Sequence, residues 1–263
     1  MDLCDRNDIQ ALLARHGFRF SRALGQNFLI EGWVAEDIAA ASGADADTGV
    51  VEVGPGIGSL TTQLARRAGK VVSVELDRRL YPVLAETMAP YENFTLVEGD
   101  VMQLSLPALV QEHLGSLRPV LCANLPYNIT TPFLTACVES HCFDSLAVLI
   151  QKEVAQRICA APGTADYGAF TLLMQYYTEP ELLFTVPSTC FLPAPKVTSA
   201  VIRCKTRPAG TGAERGRLLA HCPRRLCPAA QDAGQQSANR LGAAQGHPDG
   251  HRHRLRSGTC GPG

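Results

Sequence analysis

Residues 122–134, CANLPYNITTPFL, interrupt an apolar run with a carboxamide, a proline and an aromatic ring. Asn124, Leu125, Pro126 and Tyr127 follow Val120-Leu121-Cys122, which reads as a buried strand. These residue types suit work on a flat heteroaromatic amine. Such an amine is a poor nucleophile because its lone pair is delocalised into the ring. A carboxamide oxygen and a backbone carbonyl that accept its two N–H bonds favour a more tetrahedral, more nucleophilic nitrogen. Proline helps twice, since it has no N–H to donate and its fixed φ aims the preceding carbonyl. Tyr127 offers a ring for stacking on a base drawn out of its helix. Alone, such a tetrapeptide at a strand end is more often a turn than a catalytic site.

Three other stretches change that weighting. VEVGPGIGSL carries Gly54, Gly56 and Gly58, with Pro55 after the first glycine. Ser59 stands where a dinucleotide fingerprint has its third glycine. The loop permits close backbone approach without the usual pyrophosphate cradle. Glu75, 21 residues after Gly54, suits the two hydroxyls of a ribose, and Asp100 could accept from an adenine amino group. Ribose and adenine without phosphate point to S-adenosylmethionine rather than NAD. Its sulfonium makes methyl transfer favourable, so no metal or strong general base is expected and positioning does most of the work.

The elements that must position these residues alternate. GVVEVG, KVVSVELD, FTLVEGD, RPVLCAN and DSLAVLIQ read as strands, separated by helical patterns such as SLTTQLARRAG, RRLYPVLAETM, 107–114 and 132–139. That alternation predicts an α/β, Rossmann-like fold: a mostly parallel sheet with helices on both faces. Ligands in such sheets bind beyond the carboxyl ends of the strands. The glycine loop, Glu75, Asp100 and Asn124 fall there on four consecutive strands. Two later stretches, ELLFTVP and TSAVIRCK, predict an antiparallel pair at one sheet edge. Ahead of the sheet lie a first helix, with Asn7 expected as N-cap and Gly17 as C-cap, a basic arm RHGFRFSRALGQNFL, and a helix around 33–41.

An asparagine-proline-aromatic signature of this kind marks amino-directed adenine and cytosine methyltransferases. LGQNFL (24–29), VEVGPGIGSLT, VVSVELD, NLPYNITTPFL and QKEVAQRI together resemble the ribosomal RNA adenine dimethyltransferases, in particular the bacterial small-subunit branch. The resemblance runs from about Arg15 to Arg207. It implies that Asn27, Leu29, Gly54, Gly56, Glu75, Asp100 and Asn124 contact the cofactor. It also implies that Asn124, Leu125, Pro126 and Tyr127 hold the target adenine, that Phe191 gives a second aromatic face, and that Lys196 meets RNA phosphate. The product it implies is a pair of adjacent dimethyladenosines in a small-subunit rRNA hairpin of a partly assembled 30S subunit, made by a cytoplasmic, monomeric enzyme. Two alternatives stay open on sequence: the large-subunit, macrolide-resistance type of methyltransferase, and a ribosome-assembly binding factor with reduced or lost catalysis.

From residue 208 the chain departs from that family, which continues into a small helical domain with a basic Q-R-R-K-T-L stretch. All 16 aromatic residues lie at or before Phe191, while four of the seven histidines lie at or after His221. Without aromatics or apolar periodicity, 208–263 is expected to be a disordered tail. Pro228–Gly234 can be encoded so that a one-base shift reads Q-R-R-K-T-L, so a frameshift between about Arg207 and His221 is expected. The methyltransferase domain is thus placed at 1–207.

Bulk properties exclude little else. A 263-residue chain with 46% hydrophobic content can bury one large domain. No apolar run long enough to cross a membrane occurs, and the first ten residues carry no signal-like apolar core. Ten cysteines without a C-x-x-C pair, several inside apolar runs, are expected to be buried free thiols. Net charge is −1 overall, but the distribution is uneven. Setting aside eight arginines and three carboxylates beyond residue 207 leaves 16 basic against 22 acidic residues, or −6, a weak electrostatic footprint for RNA.

Overall fold

The computed structural model describes residues 1–21 and 24–208, so the expected tail, beyond Pro208, lies outside the described residues. In chain order the elements are α1 (Arg6–Arg15), β1 (Phe28–Leu29), α2 (Gly32–Ala41), β2 (Thr48–Val53), α3 (Ser59–Ala65), β3 (Lys70–Glu75), α4 (Tyr81–Thr87) and β4 (Phe94–Glu98). They continue with α5 (Leu106–Leu114), β5 (Arg118–Asn124), α6 (Thr130–Ser140), β6 (Ser145–Gln151), α7 (Lys152–Ile158), α8 (Ala169–Tyr177), β7 (Thr178–Val186), β8 (Phe191–Leu192) and β9 (Ser199–Thr206). Short 3-10 turns follow β3, β4 and β7.

Seven strands form one sheet in the order β4-β3-β2-β5-β6-β9-β7. The five strands from β4 to β6 are parallel, while β9 pairs antiparallel with both β6 and β7. The expected α/β architecture and antiparallel edge pair are both present. The order explains why β2 reads as an unbroken apolar run: it is central, flanked by β3 and β5, and buried along its whole length. Successive residues face opposite layers. Val50, Val71 and Cys122 pack with Ile9 and Leu12 of α1, Ile38 of α2 and Leu64 of α3. Val51, Val72 and Leu121 pack with Leu109 of α5, Phe133 of α6 and Met174 of α8. Seven cysteines among the described residues are free thiols, four of them buried.

Two local features differ from the sequence reading. Asp5, not Asn7, caps α1, its carboxylate accepting from the backbone N–H groups of Asn7 and Asp8. Both residues are good caps, and the helix starts earlier than expected because Asp5 has the extended backbone a cap requires. The second feature is a separate two-stranded ribbon in which β1 pairs antiparallel with β8, setting Leu29 opposite Phe191. Strands of two residues show no periodicity, so nothing in the sequence pattern announces them.

The chain order along the sheet turns round between β2 and β5. β3 and β4 extend it in one direction, and β5 and β6 in the other. Gly54 and Asn124 stand at the carboxyl ends of those two strands, at the switch point where such sheets bind ligands.

Candidate active site

A cleft of about 290 Å³ opens over that switch point. It is lined by the glycine loop, the ends of β3 and β5, the residues after β4, and the arm from Leu24 to Leu29. Asn27, Leu29, Gly54, Gly56, Glu75, Asp100, Asn124, Leu125, Pro126 and Tyr127 all face it.

The backbone makes the loop possible. Gly54 and Gly56 have φ values of +67° and +61°, a region that costs a side-chain-bearing residue on the order of 1–2 kcal/mol. A Cβ on Gly56 would also lie 2.9 Å from the Phe28 ring, so this glycine lets β1 close against the loop. The Gly54 N–H donates to the Val74 carbonyl at 3.0 Å, tying the loop to β3.

Glu75 ends β3 and is buried. Its Oε1 accepts from the Asp77 backbone N–H at 2.8 Å. Burial pushes its carboxyl up to about 7, partly opposed by the backbone N–H groups of Asp77 and Gly56. Asp100 accepts from the Met102 backbone N–H at 2.9 Å, which opens the turn after β4. The Nδ2 of Asn124 donates to the Asn27 carbonyl at 3.2 Å, and Asn27 Nδ2 donates to the Gly25 carbonyl at 3.0 Å. The arm therefore holds the donor end of the Asn124 carboxamide. Arm and β3 are clamped further on: Gln26 Nε2 donates to Asp77 Oδ2 at 2.7 Å, and Arg79 donates to both Asp77 oxygens.

Leu125 is buried, its N–H donating to Leu149 of β6 at 3.1 Å. The Pro126 carbonyl is occupied by the Ile129 N–H and the Thr130 hydroxyl, both at 3.2 Å. These bonds shape the turn that presents Tyr127, whose hydroxyl pairs with Ser199 Oγ at 2.6 Å. Phe191 does not reach the cleft lining: it is 1% exposed and packed in the core beneath β1. Its pairing with Leu29 turns the ring inward, so the second aromatic face expected at the cleft is not supplied there. Lys196 is exposed on the loop between β8 and β9, three residues from Ser199 and outside the cleft lining.

Among the lining residues that the sequence did not single out, Leu76, Met102 and Glu52 matter most for the chemistry of the cleft. Leu76 and Met102 are 52% and 40% exposed although apolar, and they lie one and two positions beyond Glu75 and Asp100. Their place just past a strand end was the available signal, since side chains there leave the core for the rim. Glu52, in β2, is fully buried beneath the loop. Its Oε2 accepts from Ser73 Oγ at 2.6 Å and Thr61 Oγ1 at 2.8 Å. Burial pushes this carboxyl up to about 7 as well, with the Glu75 charge adding to the rise. The cleft lining thus contains Glu52, Glu75 and Asp100 but, among the described residues, no lysine or arginine.

A family model described as ribosomal RNA adenine dimethylase matches residues 17–214. Ribosomal RNA small subunit methyltransferase A of Geobacillus thermodenitrificans is 46% identical over 208 residues, 78% of this chain and 71% of the relative. The protein of that name from Staphylococcus aureus strain Newman is 43% identical, covering 78% and 70%. Among solved structures, the 23S rRNA methyltransferase ErmE is 30% identical with a TM-score of 0.62, over 78% of this chain and 89% of that one. A dimethyladenosine transferase from Plasmodium falciparum is 26% identical with a TM-score of 0.61, over 68% of this chain and 63% of that one. The family match spans every strand from β1 to β9, and the chain belongs to the ribosomal RNA adenine dimethylase family.

Proposed function

We propose that the chain transfers methyl groups from S-adenosylmethionine to the exocyclic N6 amine of two adjacent adenosines in a small-subunit rRNA hairpin, during subunit maturation in the cytoplasm and as a monomer. The observation that carries the cofactor half is the charge of the cleft. Among the described residues, three carboxyl groups and no cationic side chain line it, so a dinucleotide pyrophosphate finds no counter-charge from them, whereas a sulfonium and an ammonium would favour their ionised form. In this reading Glu75, at the cleft wall, takes the ribose hydroxyls, and the exposed apolar pair Leu76 and Met102 offers flat, water-poor surface for adenine. Asn27, Leu29, Gly54, Gly56, Asp100 and Asn124 complete the contact set. Bound there, S-adenosylmethionine supplies an electrophilic methyl group.

The protein residues supply the nucleophile's geometry. The Asn124 amide nitrogen is already engaged by the Asn27 carbonyl, which keeps the carboxamide oxygen for an N–H of the target amine. Pro126 follows Leu125 and fixes the direction of the Leu125 carbonyl, the second acceptor. In this reading the Tyr127 ring, which lines the cleft, stacks on the extruded base, and the exposed Lys196 meets phosphate outside the cleft. The higher identity to small-subunit methyltransferases, 46% against 30% for the solved 23S enzyme, favours the small-subunit substrate.

The test is transfer of labelled methyl from S-adenosylmethionine to unmethylated small ribosomal subunits, run beside a frame-restored chain and an Asn124→Ala variant. Dimethyladenosine formed by the chain itself and lost in its Asn124→Ala variant supports the proposal, and label formed by the restored chain alone confines it to the restored sequence. Label that persists in Asn124→Ala, or appears only on large-subunit RNA, removes it.

A further inference from the structure

Tyr127 sits on a four-residue turn, and the hydrogen bond of its hydroxyl reaches outside that turn. The partner comes from 72 residues away: Ser199 Oγ lies 2.6 Å from the Tyr127 hydroxyl. We infer that Ser199 is a positioning residue for the base-capturing ring, and that its bond to Tyr127 sets the rate of methyl transfer without touching substrate. This rests on the proposed reading of Tyr127 as the stacking face.

The topology makes Ser199 available. β9 runs antiparallel to β6, so the start of β9, not its end, arrives at the rim where the parallel strands finish. Ser199 pairs in register with Gln151 at the end of β6 and with Val186 at the end of β7. The Thr198 carbonyl accepts from the Lys152 N–H, the first residue of α7, at 3.0 Å. Ser199 itself has no exposed surface. It is therefore a rigid post between two strands, whereas the ring it holds is only partly buried and borders the cleft.

The consequence is chemical as well as geometric. Ser199 holds the Tyr127 hydroxyl against the protein, and burial raises the phenol, keeping it protonated at neutral pH. The hydroxyl is then a tether, not an acid or base. A loose ring must be ordered at each turnover, and misplacement of even a fraction of an ångström lowers the fraction of productive complexes.

The experiment measures kcat and KM for small-subunit RNA in the full chain with Tyr127→Phe, Ser199→Ala, Ser199→Thr, the Tyr127→Phe/Ser199→Ala double variant and Tyr127→Ala. Cofactor affinity by calorimetry and ring signals of isotope-labelled tyrosine by NMR accompany it. Losing one hydrogen bond that orders a catalytic element is expected to lower kcat about 5- to 10-fold in Tyr127→Phe and in Ser199→Ala. The double variant should fall no further than either single, Ser199→Thr should recover, and cofactor affinity should stay within about twofold. Ser199→Ala should also broaden or merge the Tyr127 ring signals in the protein without RNA. Multiplying effects in the double variant, or an unchanged Tyr127 ring signal in Ser199→Ala, would overturn the inference. Transfer that survives Tyr127→Ala would instead overturn the underlying reading of the ring. Should Ser199→Ala fold poorly, Tyr127→Phe decides, because it removes the same hydrogen bond from the other side, and an unchanged kcat there would overturn the inference.

Discussion

The cleft keeps two carboxyl groups where solvent barely reaches. Glu52 has both hydroxyl donors, Ser73 and Thr61, on one oxygen, and hydrogen bonds of that kind favour the ionised form. Burial outweighs them and lifts the group from 4.5 to about 7. The sign of the linked stability follows. Below pH 4.5 both folded and unfolded chains carry the proton. Between 4.5 and 7 the unfolded chain releases it while the folded chain keeps it, so stability falls as pH rises through that window and levels off above 7. Every tenfold change in proton affinity is worth about 1.4 kcal/mol, giving on the order of 3–4 kcal/mol for Glu52 over the whole window. Glutamine keeps an acceptor for both hydroxyls but cannot ionise. Urea denaturation at pH 5 and pH 8 should therefore show wild type losing about 2–3 kcal/mol more than Glu52→Gln over that interval. Parallel pH profiles for the two proteins would mean that Glu52 does not hold a proton in the folded state. The design has a use in the proposed reaction, since a cationic ligand above the pair would supply the missing counter-charge and make binding and ionisation reinforce one another.

At the scale of elements, the glycine loop separates two costs that the sequence runs together. Gly54 and Gly56 share a left-handed backbone, yet the surroundings differ. A Cβ on Gly54 would meet Pro126 at 3.7 Å, an ordinary contact, whereas one on Gly56 would press on the Phe28 ring at 2.9 Å. Gly54→Ala should cost about 1 kcal/mol of backbone strain, and Gly56→Ala about 2–4 kcal/mol because β1 must shift as well. Chemical denaturation of the two variants checks the order, and equal losses would show that Phe28 gives way freely. The same comparison shows what was legible from sequence. Alternating strands and helices placed Gly54, Glu75, Asp100 and Asn124 at one rim, because period and strand polarity suffice for that. Phe191 was not legible: its orientation depends on β1 and β8, two strands of two residues whose pairing is a tertiary event. The insertion of β9 between β6 and β7 was equally hidden, and with it the meeting of Ser199 and Tyr127. Leu76 and Met102 were not singled out because apolar character alone does not distinguish a rim from an interior.

For the molecule as a whole the difficulty is charge. Residues 1–207 carry 16 basic and 22 acidic side chains, so long-range attraction does not bring RNA to this body. Several of the cations are also committed: Arg79 to Asp77, Arg15 to Glu86, Arg203 to Glu181 and Arg118 to Asp45. RNA affinity must then come from a few local phosphate contacts together with base stacking, and the salt dependence should be shallow. Lys196 is the sharpest test. It is exposed, and its loop runs within three residues into Ser199, the start of β9 and the partner of Tyr127. If it meets one phosphate, Lys196→Ala should reduce the slope of log affinity against log salt by about 0.7, the value for one contact to a single strand. The loss should be uniform across RNA sequences, since phosphate carries no base identity. It should also leave cofactor affinity untouched, because Lys196 lies outside the cleft lining. Fluorescence titrations of a small-subunit hairpin between low and moderate salt measure that slope. An unchanged slope would place the RNA on another face of the molecule, and a slope near zero in wild type would make stacking on Tyr127 the dominant source of affinity.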